Sequence, residues 1–261
     1  MEFFSLAGNI ATHIEDSKKG DKTVLLLHGY METMYVWEDI YKELSRDYRV
    51  IRMDMPGHGL SCTAPVNTME LMATVAKGVL DVCGVEKATV VGHSMGGFAA
   101  LKCCELFADR FEKMVLLNSH PYPETEEDTA LRRREQEVIS AGKLMQLAEL
   151  SIPKMFHPSS LRRLDEKILE MTELCDTHDP AGIVASIKGL VQRGDTSAFL
   201  ASCKIPVLAV CGDSDGLVTA EYRARIASEC KNVRLEILPE CGHNVFLEYP
   251  ERTLELLREF I

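Results

Sequence analysis

Six short runs of apolar residues, rich in valine, isoleucine and leucine, recur along the chain. The runs are TVLLLHG (23–29), YRVIRMDMPGHG (48–59), ATVVGHS (88–94), KMVLLNS (113–119), PVLAVCG (206–212) and VRLEILPECGH (233–243). Continuous apolar runs of this length are typical of parallel strands that helices cover on both faces. Because helical patterns lie between the runs, the chain predicts an α/β fold with a doubly wound, mostly parallel sheet.

The N-terminal stretch FFSLAGNIATHIED, residues 3–16, shows a different pattern. Two strand-like stretches flank Gly8-Asn9, a pair that is typical of tight turns between antiparallel strands. We therefore predict an antiparallel hairpin at one edge of the sheet.

The alternation of strands and helices stops between about residues 121 and 195. The polar stretch PYPETEED is followed by helical patterns at 128–150, 159–175 and 180–193, with no strand pattern among them. We interpret this segment as a helical cap inserted between two strands, and we expect it to form a lid over the carboxyl ends of the strands. The alternative is a helical excursion that packs beside the sheet. The predicted division is a core of residues 1–120 and 196–261 with a cap of residues 121–195.

Composition and charge exclude several classes of protein. The chain has 261 residues and a formal net charge of −11, which argues against broad nucleic-acid binding because such proteins normally present a basic face. We interpret the basic runs at 131–134 and 161–163 as solvated helix faces rather than as an anion site. The N-terminus lacks the basic flank and the apolar length of a signal peptide or a membrane span.

The nine cysteines are odd in number and none is spaced as Cys-x-x-Cys. A disulfide framework or a structural zinc site would show a different pattern. We interpret most of them as small buried apolar residues and expect a cytoplasmic protein with no membrane or nucleic-acid partner. The pattern does not address the oligomeric state.

The stretch VVGHSMGGFAAL, residues 90–101, places one serine between glycines where a predicted strand meets a predicted helix. Gly92-His93-Ser94-Met95-Gly96 matches the Gly-x-Ser-x-Gly pattern of a nucleophile elbow, in which a tight strained turn presents the serine oxygen above the end of a sheet. The alternative is a glycine-rich turn between a strand and a helix in which the serine has no catalytic role. We predict that Ser94 is a nucleophile.

A serine nucleophile needs a base, and the chain has eight histidines. His243 follows the last predicted strand and precedes the last helix, a position from which its ring can reach Ser94. We expect His93, the neighbour of the serine, to point away from this base. The other six histidines lie in the hairpin, in motifs where the backbone matters, or in the insertion: His13, His28, His58, His120, His157 and His178.

The base in turn needs an acid to orient it. In CGDSDGLV (211–218), Asp213 and Asp215 both follow a predicted strand. We favour Asp215, because Asp213 suits the closing of the turn. One strand earlier the chain has Asn118-Ser119, which leaves no rival acid there. The predicted triad is Ser94, Asp215 and His243, the chain order of nucleophile-elbow enzymes. The backbone N–H groups of Tyr30 and Met95 are predicted to form an oxyanion hole, from their positions alone.

Five motifs, LLLHGY, DMPGHGLS, VVGHSMGG, CGDSDGLV and CGHNVFLEYPE, resemble in order and spacing the α/β-hydrolase fold superfamily. They span residues 23 to 250. The resemblance implies the same triad and oxyanion donors, a cap after the sixth strand, and neither a metal nor an organic cofactor. Because Ser94 occupies the position at which epoxide hydrolases and haloalkane dehalogenases carry aspartate, the chain looks most like the small serine-hydrolase, carboxylesterase-like branch.

We therefore expect hydrolysis of a small, apolar carboxylic ester through an acyl-enzyme on Ser94. Three alternatives stay open: a carbon–carbon bond hydrolase, a thioesterase, and a ligand receptor whose triad turns over slowly. The expected partner is a small-molecule substrate. His120, Met145 and Phe156 are the residues that we expect to contribute to the substrate pocket.

Overall fold

Each of the six apolar runs forms a strand, and the first sixteen residues add two more. The computed structural model describes all residues from 1 to 261. Its strands are β1 (Glu2–Ala7), β2 (Ile10–Asp16), β3 (Thr23–Leu27), β4 (Arg49–Met53), β5 (Ala88–His93), β6 (Phe111–Leu117), β7 (Val207–Gly212) and β8 (Val233–Leu238). They form one sheet in the order β1-β2-β4-β3-β5-β6-β7-β8. The predicted α/β class is confirmed.

Strands β3 to β8 run parallel to one another, and the antiparallel pairs are β1 with β2 and β2 with β4. The turn between β1 and β2 has positive φ at both central residues, 52° at Gly8 and 67° at Asn9. Glycine and asparagine tolerate this left-handed conformation better than other residues. The predicted edge hairpin therefore forms at the predicted turn.

Successive residues of each buried strand enter two different apolar clusters. In β3, Leu25 and Leu27 belong to a cluster of 34 buried residues, whereas Val24 and Leu26 belong to a second cluster of 31. Side chains alternate between the faces of a sheet, so the two clusters are the cores on its two sides. Their similar sizes show that both faces are covered, as the continuous apolar runs predict.

The helices cover both faces of the sheet and fill the long connection between β6 and β7. They are α1 (Glu38–Leu44), α2 (Met69–Val82), α3 (Met95–Leu106), α4 (Glu126–Ser140), α5 (Leu144–Ser151), α6 (Asp165–Leu174), α7 (Pro180–Val191), α8 (Ser197–Ser202), α9 (Ala220–Glu229), α10 (Val245–Glu248) and α11 (Pro250–Phe260). None of them is long and apolar enough to cross a membrane.

The helices between β6 and β7 differ in detail from the sequence pattern. The pattern at 128–150 divides into two helices because Gly142 has a φ of 74°, which ends α4. Helix α4 begins before the pattern, because Thr125 and Asp128 form a capping box at its N-terminus. The pattern at 159–175 is helical only from Asp165, since residues 158–164 form turns. No strand interrupts the connection.

This helical connection contacts the loop between β8 and α10. The backbone N–H of His243 donates to the carbonyl of Met155 at 2.6 Å. The N–H of His157 donates to the Glu248 carboxylate at 2.9 Å. The helical segment therefore lies against the carboxyl end of the sheet, where the loops after β5, β6, β7 and β8 meet.

Candidate active site

Ser94 lies at the turn between β5 and α3. Its backbone has φ 49° and ψ −115°, a conformation that costs a non-glycine residue energy and that is found at functional sites. A Cβ atom at Gly96 would collide with the carbonyl oxygens of Leu27 and His28, and one at Gly92 would collide with the backbone of Gly96. The two glycines are therefore required for the turn, which leaves Ser94 half-buried at the carboxyl end of β5.

His243 and Asp215 form a buried pair beside this turn. The ring nitrogen Nδ1 of His243 lies 2.8 Å from Oδ2 of Asp215. Because a carboxylate is an acceptor, Nδ1 carries the proton of a neutral ring and Nε2 is left with a lone pair. No protein group forms a hydrogen bond with Nε2. The ring is thus oriented as a base would be.

The carboxylate of Asp215 is itself held in place. Its Oδ1 accepts the backbone N–H groups of Leu217 at 2.8 Å and Val218 at 3.0 Å. Burial opposes the charge of Asp215, but the neighbouring ring of His243 and the hydrogen bonds it accepts more than offset burial, so that the pKa of Asp215 lies below its usual range. The acid is therefore ionised throughout the neutral range.

Asp213, the other candidate acid, makes different contacts. Its carboxylate accepts the Ser214 hydroxyl at 2.8 Å and lies at the exposed turn after β7. It forms no hydrogen bond with His243, whereas Asp215 does. Of the two aspartates, the structure brings only Asp215 to the histidine.

Asn118 joins the acid to the loop of the base, a contact that the sequence analysis did not foresee. Its Nδ2 donates to Asp215 Oδ2 at 2.9 Å and to the Gly242 carbonyl at 3.1 Å, and its Oδ1 accepts the Val245 N–H at 3.1 Å. The signal was its position directly after β6, because polar residues at the carboxyl ends of parallel strands gather at one edge of the sheet.

The predicted oxyanion donors are Tyr30, in the loop after β3, and Met95, directly after Ser94. Met95 is the first residue of α3, so its N–H has no partner within the helix. The N–H of Tyr30, in the loop after β3, donates to no other protein group. The neighbouring Gly29 N–H is occupied, since it donates to Glu32 at 2.6 Å. The two N–H groups are thus available as donors to an oxyanion.

Ser94 and His243 line one cavity, and polar and apolar side chains share its other walls. The polar side chains that line it are Asn118, His120, Glu124, Asp128, Arg132 and Arg193. Phe98, Leu217, Val218 and Tyr222 supply the rest of its lining, so the cavity offers both charged and apolar surface to a substrate. No group of three histidine, cysteine or acidic side chains is arranged to hold a metal ion.

Only one of the three predicted pocket residues lines this cavity. His120 is on its wall and stacks on Tyr222 with ring centroids 4.3 Å apart. Burial, together with the charge of Arg193, lowers the pKa of His120 to about 3. Phe156 is buried in the apolar cluster on one face of the sheet, and Met145 packs against that cluster. Neither side chain is part of the lining of this cavity.

The sequence predicts that the basic run at 131–134 is a solvated helix face. In the structure this holds for only part of the run. Arg132 lines the cavity, with its guanidinium 5.1 Å from the ring centroid of Tyr30, and it pairs with Glu135 at 2.9 Å. Arg133 and Arg134 are exposed. Helical geometry explains the difference, because consecutive residues point about 100° apart and only one of the three arginines faces inward.

Arg193 is a second cavity residue that the sequence pattern did not single out. Its guanidinium lies 3.9 Å from the ring centroid of Phe98 and 3.3 Å from the Glu124 carboxylate. Both charged side chains are nearly buried. The cavity therefore contains a paired charge in its wall rather than an isolated one.

His93 was expected to point away from the base, and this expectation is wrong. Its ring lies 5.1 Å from that of His243, measured between centroids, and its Nε2 lies 2.8 Å from the backbone oxygen of His243. The loop after β8 folds back over the end of β5. The contact between His93 and His243 therefore joins residues 150 positions apart, which a local sequence pattern does not reveal.

Comparison with known proteins places this geometry in a family. Residues 22–250 match the family model described as alpha/beta hydrolase fold. The 2-hydroxy-6-oxononadienedioate/2-hydroxy-6-oxononatrienedioate hydrolase of Paraburkholderia phymatum is 28% identical, over 97% of this chain and 91% of that protein. The pimeloyl-[acyl-carrier protein] methyl ester esterase of Nitrosomonas europaea is 26% identical, over 92% of this chain and 95% of that protein.

Among solved structures, a malate-bound thermophilic esterase from Thermogutta terrifontis has a TM-score of 0.92. It is 28% identical in sequence and covers 99% of this chain and 97% of its own. The same fold thus extends over the whole chain, including the helical connection between β6 and β7.

Proposed function

This chain belongs to the α/β-hydrolase fold family, and on that basis we propose that it is a serine hydrolase that cleaves a small polar ester through an acyl-enzyme on Ser94. The observation that carries the proposal is the shared cavity of Ser94 and His243, in which His243 is oriented by Asp215 at 2.8 Å. A strained serine, an oriented histidine and an ionised acid are the parts that acyl transfer requires.

The residues act in two half-reactions. In the first, Ser94 Oγ attacks the ester carbonyl carbon while Nε2 of His243 takes its proton, and the N–H groups of Tyr30 and Met95 stabilise the oxyanion. The carbon–oxygen bond to the alcohol then breaks, and His243 returns the proton to the leaving oxygen. In the second, water attacks the acyl carbon and gives a proton to His243. The bond between the acyl carbon and Ser94 Oγ then breaks, His243 returns the proton to Oγ, and the carboxylic acid is released.

The charged side chains of the cavity favour a substrate that carries polar groups. Arg132 and Arg193 supply cationic donors, and Glu124 and Asp128 supply acceptors, within the same cavity as the serine. The similarity to an esterase solved with malate is in keeping with such a substrate. The free space is about 50 Å³, far below the roughly 300–1,000 Å³ of ligand pockets. The helical segment 121–195 therefore acts as a cap that moves to admit the substrate.

A fluorophosphonate tests the activated serine directly. Intact mass and peptide mapping are expected to show one adduct, on Ser94, which is lost in Ser94→Ala and in His243→Ala. Ser119→Ala is the matched control, because it removes the hydroxyl that donates to the Ser94 carbonyl at 3.0 Å without removing the nucleophile. A folded wild-type protein without an adduct, or an adduct that persists in Ser94→Ala, would show that the proposal is wrong.

Turnover separates an enzyme from a receptor that retains a slow triad. The wild-type protein is expected to release many equivalents of nitrophenol from a short-chain nitrophenyl ester. Release that stops near one equivalent would favour the receptor, because the acyl-enzyme would then not be hydrolysed.

A second candidate is hydrolysis of a carbon–carbon bond next to a ketone, by the same triad. The two arginines of the cavity favour it, because a relative 28% identical to this chain is named as a hydrolase of an oxo-dioate, an anion with two carboxylates. Measuring kcat/KM for 2-hydroxy-6-oxononadienedioate and for short-chain esters decides between the two candidate functions. Higher kcat/KM for the dioate would favour this second candidate.

A further inference from the structure

His93, the residue before the nucleophile, is fully buried at the end of β5. Aromatic rings enclose it, with Trp37 at 6.4 Å and Phe246 at 4.9 Å between ring centroids. A polar ring in such an apolar setting is unfavourable unless both of its nitrogens are hydrogen-bonded. The proposed acyl transfer gives His93 no role, although the centroid of its ring is 5.1 Å from that of His243.

Both nitrogens of His93 face acceptors. Nδ1 lies 3.1 Å from Oε2 of Glu32, and Nε2 lies 2.8 Å from the backbone oxygen of His243. A carbonyl oxygen cannot donate, and the same Oε2 already accepts the Gly29 N–H at 2.6 Å. A histidine that donates at both nitrogens is an imidazolium, so Glu32 and His93 form a buried ion pair.

The charged and titratable groups around this pair agree with that protonation state. Burial disfavours the charge on His93, but Glu32 and, at longer range, Asp215 more than offset burial, and the pKa of His93 lies above its usual range. The pKa of Glu32 lies below its usual range, because His93 and His28 offset its burial. Two further titratable groups are neighbours: the Cys175 thiol, whose pKa burial and the charge of Glu32 raise to about 12, and His243.

The pair connects the two sides of the candidate active site. On one side, Glu32 holds the N–H of Gly29, the residue before the predicted oxyanion donor Tyr30. On the other side, His93 holds the carbonyl of His243, whose ring is the predicted base. These contacts join the loop after β3 and the loop after β8 to the strand that ends at Ser94.

We propose that His93, paired with Glu32, is a positioning residue that sets the distance between the oxyanion loop and the backbone of His243. This inference rests on the proposed function, because positioning is defined relative to the serine chemistry. His93 does not touch the reacting atoms. It acts through Gly29, by way of Glu32, and through His243 directly, as outer hydrogen-bond partners do in other sites.

The variants are His93→Gln, Glu32→Gln and the double variant that carries both changes. The double variant is needed because removing one partner of a buried ion pair leaves the other charge unpaired and destabilises the fold. His13→Gln is the matched control. His13 is also fully buried between two carboxylates, 2.8 Å from Asp54 and 2.6 Å from Glu2, and has no place in the proposed chemistry.

For His93→Gln, kcat on a nitrophenyl ester is expected to fall by about tenfold or more while KM changes by less than about threefold. The rising limb of the kcat/KM profile is expected to move to higher pH, because losing a positive charge near His243 makes its ring easier to protonate. The double variant should keep the low kcat even where its Tm is restored. His13→Gln should lower Tm and leave kcat and the limb unchanged.

A purely structural role for His93 gives a different result. In that case His93→Gln lowers Tm as His13→Gln does, with kcat and the pH profile of the wild type, and the inference is overturned. If His93→Gln does not fold, the double variant decides by kcat, because it removes both charges of the pair and its pH limb is not expected to move: a low kcat supports the inference, and a wild-type kcat overturns it. Failure of the proposed function is distinguishable, because it removes the fluorophosphonate adduct and the turnover from the wild-type protein itself.

Discussion

The side-chain amide of Asn118 donates a hydrogen bond of 2.9 Å to the carboxylate of Asp215. The same amide also bonds to the backbone of Gly242 and Val245, on either side of His243. One side chain at the end of β6 thus positions both the acid and the loop of the base, and it contributes to an arrangement that the chain order alone does not reveal.

Replacing Asn118 is expected to lower activity more than stability. Asn118→Gly keeps the backbone unstrained, because Asn118 has a φ of 47°, and removes only the side chain. A hydrogen bond to a charged group contributes about 1.5–3 kcal/mol, so kcat/KM should fall by about 10- to 100-fold. Comparing Asn118→Gly with Asn118→Ala separates the side chain from backbone strain. Wild-type kcat/KM in Asn118→Gly would contradict the assigned role.

Gly96→Ala is expected to disrupt the turn that carries Ser94. The new Cβ would collide with the carbonyl oxygens of Leu27 and His28, and backbone atoms of a central strand cannot easily move. Overpacking costs about 1–3 kcal/mol, and a collision with two carbonyl oxygens belongs at the upper end, so Tm should fall by about 6–12 °C in a domain of this size. Thermal unfolding measures it. Gly194→Ala is the control, because nothing lies within 4 Å of its Cβ position, and its Tm should match that of the wild type.

Arg132→Met is expected to weaken binding of polar substrates. Arg132 lines the cavity of Ser94, whereas Arg134 on the same helix is exposed. Loss of one charge-assisted hydrogen bond, about 1.5–3 kcal/mol, should raise KM by about tenfold or more for an ester that carries a carboxylate. Arg134→Met should leave KM unchanged. Equal KM values for the two variants across neutral and acidic esters would show that Arg132 does not bind substrate.

Stability is expected to fall as the pH drops below about 6.5. Four buried histidines have lowered pKa values, with burial as the main cause: His28, His58, His120 and His178. In the unfolded chain each titrates near 6.5, so the unfolded state binds more protons below that pH. Their contribution is complete above pH 6.5 and is lost as the pH falls through the folded pKa of each, about 4 for His178 and about 3 for His120.

His13 and His93 act with the opposite sign. Their pKa values are raised despite burial, because carboxylates face them, so their stabilisation is complete below about pH 6.5 and is lost as the pH rises through their raised pKa. Four groups outweigh two, and urea unfolding at pH 7 and pH 5 should give a lower free energy of unfolding at pH 5. His178→Gln should reduce the difference. A higher free energy at pH 5 would contradict the assignment of neutral histidines.

The elements that depend on local pattern were predictable. The six apolar runs became strands β3 to β8, and Gly8-Asn9 became the turn of the edge hairpin, because strand burial and turn conformation are set by neighbouring residues. The turn at Ser94 was predictable for the same reason, because the two glycines that it requires, Gly92 and Gly96, lie within one five-residue motif. The interruption at Gly142 was missed because helical periodicity continues across it.

The sequence identified Ser94, His120 and His243 in the cavity but not its arginines. Arg132 was interpreted as solvated, and Met145 and Phe156 were expected in the pocket, because a helical pattern does not show which face meets the active site. That choice depends on how the helices between β6 and β7 pack against the sheet. His93 was misjudged for a similar reason, since its orientation is set by Glu32 and by the carbonyl of His243.

The sequence by itself determined the order of the elements, the class of fold, the strained serine and a short set of candidate partners, because each of these depends on residues that are close along the chain. The tertiary structure alone decided that the predicted partners Asp215 and His243 lie within hydrogen-bond distance, which charged side chains line the cavity, and that His93 joins Glu32 to the base. These contacts join residues 28 to 150 positions apart, and they arise only when parallel strands bring their carboxyl ends to one edge of the sheet.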